Sequence, residues 1–156
     1  FLIIISSYKY LHILKIDIIF AENLVITKQM GDFKKVKCDL VRNKGGYVFY
    51  KLHQGKSCQF DEFVEEVRKN PQQWKELVKL IRWMESYGTT EGFPSNYYNH
   101  IKGVGRKDVY EYKDKTLRIY VRVVSPDVII ILGGYKKNQK LDIERLKYKL
   151  PTIDLL

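Results

Sequence analysis

Hydrophobic and polar positions change period several times along the chain, and each change marks an element. In Lys34 to Arg42, Val36, Cys38 and Leu40 recur at every second position, which predicts a half-buried strand. Gly45-Gly46 breaks it, and Tyr47-Val48-Phe49-Tyr50 predicts a second strand in a hairpin with the first. The period then lengthens. Phe60, Phe63, Val64 and Val67 sit at i, i+3, i+4 and i+7, with charged residues between them, which predicts an amphipathic helix capped by Ser57. Asn70-Pro71-Gln72-Gln73 restarts a helix, since asparagine caps well and proline suits the first helical position. Trp74, Leu77, Val78, Ile81 and Met84 form its apolar stripe, and Gly88 is its expected stop. The two helices are expected as an antiparallel pair, or one bent unit, on a sheet.

Glycines at 88, 92, 103 and 105 and Pro94 mark residues 88–107 as a loop. Strands follow. Val109 to Lys113 is short. Leu117 to Val124 alternates, with Leu117, Ile119, Val121 and Val123 on one face and Arg118, Tyr120, Arg122 and Val124 on the other. Ser125-Pro126-Asp127 predicts a turn, and the wholly apolar Val128 to Leu132 predicts a central strand covered on both sides. Asp142 is the expected cap of a last helix carrying Ile143, Leu146 and Leu150 and stopped by Pro151. The order β(β)ααβββα implies an α+β fold, a mostly antiparallel sheet against a helix pair, with a C-terminal helix.

The first 29 residues stand apart. No Met precedes Met30, and the apolar run Phe1 to Ile5 is far shorter than the roughly 18–20 residues of a spanning helix. Lys15 and Asp17 interrupt what would be the core of a secretory signal. The expectation is that Met30 is the natural start, with 1–29 an extension that is not native and 30–156 a single domain. A short extra strand or helix is the alternative.

Composition sharpens this outline. A chain of 156 residues, 45% of them hydrophobic, can build one core, and its two cysteines cannot build a disulfide framework. They fit a reducing, cytoplasmic setting. The formal charge of +10 directs attention to polyanions before membranes. That charge is uneven. Residues 60–87 hold five Lys/Arg against six Asp/Glu, whereas residues 102–149 hold thirteen against six, a net +7. Arg118 and Arg122 stand about 13 Å apart along one strand face with Tyr120 between them. Tyr135, Lys136, Lys137 and Lys140 follow the next strand. Cations interleaved with aromatic and amide groups suit single-stranded RNA, with bases stacked on rings. A solvated surface face is the other reading of such a run.

The sequence has no CxxC, HExxH or nucleophile-elbow motif, and Gly103-Val104-Gly105-Arg106 lacks the strand and helix that a phosphate loop needs. His53 and His100 look isolated. No metal and no cofactor are expected. Lys, Arg and Tyr can nonetheless cleave RNA, because the nucleophile is the substrate's own 2′-OH and the protein needs only to orient it, move protons and stabilise the phosphorane.

Lys102, then Asp108-Val-Tyr-Glu-Tyr-Lys, Leu117-Arg-Ile-Tyr-Val-Arg and Ile129-Ile-Ile-Leu-Gly-Gly-Tyr-Lys-Lys-Asn-Gln-Lys, behind a helix pair ending Tyr87-Gly88, resemble the RelE/ParE toxin superfamily, in its HigB-like, phage-derived branch. The resemblance spans about residues 36–150 and implies a RelE-like small domain. It implies the toxin of a type II toxin–antitoxin pair, a ribosome-dependent, metal-independent mRNA endoribonuclease that inhibits translation. Its partners would be a small helix-turn-helix antitoxin and mRNA on the ribosome, with no membrane. By position, Arg118 matches the strand arginine at the scissile phosphate, Lys102 a basic residue before the hairpin series, and Lys136 and Lys137 the paired lysines, with Tyr135 the aromatic before them. Lys102, Arg118, Lys136 and Lys137 are thus the expected catalytic residues. Arg122, Tyr120, Tyr135, Lys140 and Arg106 are expected to bind RNA. Gly133 replaces the family's histidine, so no imidazole serves there, and Asn138 and Leu141-Asp142 depart from the usual Thr and Thr-Pro. The alternatives are a gyrase poison of ParE type or a decayed toxin that only binds its antitoxin.

Overall fold

The computed structural model describes residues 32–90 and 95–156. The expected start at Met30 and the extension before it lie outside these residues. Residues 34–156 form one compact unit that holds all the helices and all but the first residue of the strands described here. In chain order these are β1 (Phe33–Lys37), β2 (Val48–Gln54), α1 (Gln59–Arg68), α2 (Pro71–Glu85), β3 (Tyr98–His100), β4 (Val109–Lys113), β5 (Leu117–Val124), β6 (Asp127–Tyr135) and α3 (Gln139–Ile153). The six strands form one mixed sheet in the order β1-β2-β6-β5-β4-β3. β2 and β6 run parallel, whereas β6-β5, β5-β4 and β4-β3 are antiparallel. The fold is α+β.

Adjacent glycines on β6 reveal how the layers are arranged. A Cβ at Gly133 would overlap the ring of Phe63 on α1, and one at Gly134 would overlap the Asp142 carboxylate on α3. Successive strand residues point to opposite faces, so α1 and α3 cover opposite sides of β6. Phe60, Phe63, Val64 and Val67 of α1 and Leu77, Leu80, Ile81 and Met84 of α2 bury against Leu117, Ile119, Val121, Val128 and Ile130. On the other side, α3 buries Leu146, Leu150 and Ile153. Between Tyr120 and Val121 the pairing jumps from Leu132 to Ile130, so Ile131 is an extra residue that bulges β6.

Several elements depart from the sequence expectation. Residues 88–107 are not all loop, because Tyr98–His100 pairs with β4 as a short edge strand. The Tyr98 ring stacks on Tyr110 at 4.8 Å and packs against Tyr112 and Tyr87, a cross-strand gain that glycine spacing does not disclose. The cap of α1 is Cys58, whose side chain makes no capping bond, and not Ser57, whose hydroxyl bonds Gln54 O. Asn70 does cap α2, accepting from the backbone N–H groups of Gln72 and Gln73. Asp142 does not cap α3; it lies inside that helix, buried. Pro151 does not stop it either. Leu150 and Ile153 are both buried and hold the last turn in place around the proline.

Candidate functional site

The expected site residues fall into three groups along β5. At its start, buried Glu76 of α2 accepts from the Thr116 backbone N–H at 2.8 Å and from its hydroxyl at 3.0 and 3.1 Å. That fixes the Lys115–Thr116 turn. The Lys136 backbone N–H then donates to Thr116 O at 2.8 Å, tying the exit of β6 to the same turn. Glu66, Gln73, Lys115, Thr116, Tyr135, Lys136 and Lys137 line the resulting cleft of about 580 Å³. The Tyr135 hydroxyl donates to Glu66 at 2.9 Å, and burial together with that carboxylate pushes the phenol up to about 12, so the ring stays neutral. Lys137 Nζ stands 5.8 Å from the centre of the Tyr135 ring. Lys115, Lys136, Lys137 and Lys140 are exposed and form no ion pair with any described residue.

One residue into β5, Arg118 is buried, 6% exposed. Its Nη1 donates to the carbonyls of Asp114 and Leu117 at 2.6 and 2.7 Å, and its Nε lies 3.7 Å from a carboxylate oxygen of Glu111. Glu111 also accepts from the Gln139 amide at 3.1 Å. The Arg118 guanidinium, expected at a phosphate, is here directed at the protein's own backbone. Tyr120, expected as a stacking platform, is 0% exposed and offers no ring face to a base. Burial beneath α3, with Asp142 and Glu111 nearby, raises its phenol. The same burial raises the Asp142 carboxyl, opposed by Arg145. The alternating pattern placed Arg118, Tyr120 and Arg122 correctly on one face, but α3 packs over that side of the sheet.

The far end of β5 holds a network of two arginines and two aspartates. Arg122 reaches Asp108 at 2.7 Å and Asp154 at 2.9 Å. Arg106 bonds Asp108 through Nε and Nη2, both at 3.0 Å, and Asp154 through Nη1 at 2.7 Å. Desolvation would raise Asp108, yet bonds from Arg106 and Arg122 draw it down to about 2. Asp154 is lowered chiefly by Arg106. Both guanidiniums are therefore matched by carboxylates. The network clasps the residue that follows α3 to the sheet.

Lys102 lies elsewhere, exposed on a cleft with Asn99, His100, Ile101, Glu111, Gln139 and Ile143. Sequence reasoning missed Lys115, Glu66 and Gln73 as cleft residues. The turn Asp114-Lys115-Thr116 ahead of a strand was a usable signal for the first; the helix residues arrive only through packing. It also missed that His53, Cys58 and Asp61 converge. Gly133 has a structural reason, since the Gln59 side-chain amide pairs with its backbone N–H and carbonyl, both at 2.8 Å, and Phe63 fills the space of a side chain.

Among the described residues no helix is long and apolar enough to cross a membrane. No protein-family model matches the chain, and no curated protein matches it.

Proposed function

We propose that this protein is the toxin of a type II toxin–antitoxin pair with a RelE-like domain, acting in the cytoplasm as a ribosome-dependent mRNA endoribonuclease. The observation that carries the reading is the lysine cleft. Lys115, Lys136 and Lys137 line one cleft with Tyr135 and form no ion pair with any described residue, at the strand exit where the resemblance assigns the paired lysines. A phosphodiester there meets several ammonium groups, and a base can stack on the ring. The reaction is attack of the 2′-OH on the adjacent phosphorus with departure of the 5′ oxygen, and no metal ion is required for it. One lysine of the cleft, Lys136 or Lys137, takes the 2′-OH proton as the free amine, and another, as the ammonium, stabilises the phosphorane and protonates the leaving oxygen; Lys102, on a separate cleft, takes no part. The α+β architecture, a mixed sheet with the helix pair packed on it, supports the reading at the level of fold class.

The test is induction of the full chain with mapping of message ends. Wild type should arrest growth and cut translated messages, whereas Lys136→Ala/Lys137→Ala should do neither. Arg118→Ala is a poor test, because the guanidinium holds buried carbonyls and its loss would act through folding. The burial of Arg118 favours a second reading, a toxin that binds without cleaving, either poisoning gyrase or holding only its antitoxin. DNA damage without message cleavage on induction identifies the gyrase poison.

A further inference from the structure

His53 lies near the end of β2, and Cys58 and Asp61 lie at the cap and in the first turn of α1. A ring nitrogen of His53, the Cys58 sulfur and a carboxylate oxygen of Asp61 all lie within 4.8 Å of one another. Tetrahedral zinc, with bonds of about 2.0–2.3 Å, sets its ligands about 3.5 Å apart, so small side-chain rotations would close the trio on an ion. One further observation points the same way. His53 Nε2 is shut off from solvent and makes no hydrogen bond with any described residue, an uncompensated polar atom on a ring that belongs to the trio. Lys51, two residues before His53 on β2, bonds both Asp61 oxygens at 2.6 and 2.7 Å, so an ion at the trio must share that carboxylate with the ammonium or displace it.

We propose that His53, Cys58 and Asp61 form a divalent transition-metal site, best matched to Zn²⁺, that staples the start of α1 to strand β2. Nitrogen, thiolate and carboxylate ligands are the set zinc takes, with water in the fourth position. Thiolate and carboxylate together carry two negative charges, but Lys51 already pairs with Asp61, so the ion competes with that ammonium for the carboxylate. Burial raises the Cys58 thiol against the pull of the Asp61 and Phe60 backbone N–H groups, so the metal-free protein carries the thiol proton. Binding releases that proton to solvent as the Cys58–metal bond forms. None of the three residues lines the lysine cleft, so the site is independent of the RNA reading.

The test is titration of the reduced full chain with Co²⁺ alone, followed by Zn²⁺ competition. Wild type should develop thiolate-to-cobalt charge-transfer absorption and tetrahedral visible bands at one ion per chain, both bleached by Zn²⁺. Cys58→Ser and His53→Ala, each checked as folded by circular dichroism, should lose the charge-transfer band or bind at least roughly tenfold more weakly. Cys38→Ser should retain the wild-type spectrum. Absence of the band in wild type overturns the proposal, as does a band that survives Cys58→Ser or vanishes with a folded Cys38→Ser.

Discussion

The two ends of β5 carry similar numbers of cations and treat them in opposite ways. Near Val124, Arg106 and Arg122 share Asp108 and Asp154 at 2.7–3.0 Å, so each guanidinium already has its anions. Near Leu117, about 20 Å away along the strand, Lys115, Lys136 and Lys137 stand exposed on a cleft with Tyr135 and Glu66 and form no ion pair with any described residue. Arginine forks suit fixed, bidentate pairing, and lysine is a mobile point charge. Local positive charge is therefore a poor guide to where a polyanion binds. The uncompensated part of that charge is the better one, and it lies at the lysine end.

The largest expected effect is at that end. Lys136→Ala/Lys137→Ala should lower message cleavage by about 10²–10³ with an unchanged circular dichroism spectrum. Arg122→Ala should act on stability, costing about 1–3 kcal/mol in urea unfolding, because it leaves Asp108 and Asp154 short of a partner. Gly133→Ala should cost a similar amount, about 1–3 kcal/mol, by driving a methyl into Phe63. Acid should find the same network. Asp108 has its pKa lowered from 3.8 to about 2, so its contribution is full above pH 3.8 and fades as pH falls toward 2. Asp142, raised by burial, has the opposite sign and favours the fold at low pH. Acid titration of the urea midpoint should show a fall over this window that Arg122→Ala flattens. Tyr120→Phe should be the smallest change, within about 0.5 kcal/mol, since the lost hydroxyl is buried and makes no hydrogen bond.

Periodicity read the main body of this fold well where local rules and packing agree. Asn70-Pro71 announces α2, and the alternation from Leu117 to Val124 gives β5 and its two faces. It failed where tertiary contacts override local rules. Tyr98–His100 becomes a strand because tyrosine rings stack across it, and Asp142 is drawn inside α3 against Gly134. For the site, the Lys136–Lys137 pair was legible because it directly follows an apolar strand. The engagement of Arg106 and Arg122 was not, since Asp154 arrives from beyond a helix of fifteen residues. Nor was the burial of Tyr120, because the sequence does not say which face α3 will cover.

Mapping message ends after induction of wild type, Lys136→Ala/Lys137→Ala and Arg106→Ala tests the central claim most directly. The lysine cleft predicts cut messages for wild type and Arg106→Ala and intact ones for the lysine pair. Intact messages in wild type, or cleavage that survives loss of both lysines, would contradict it.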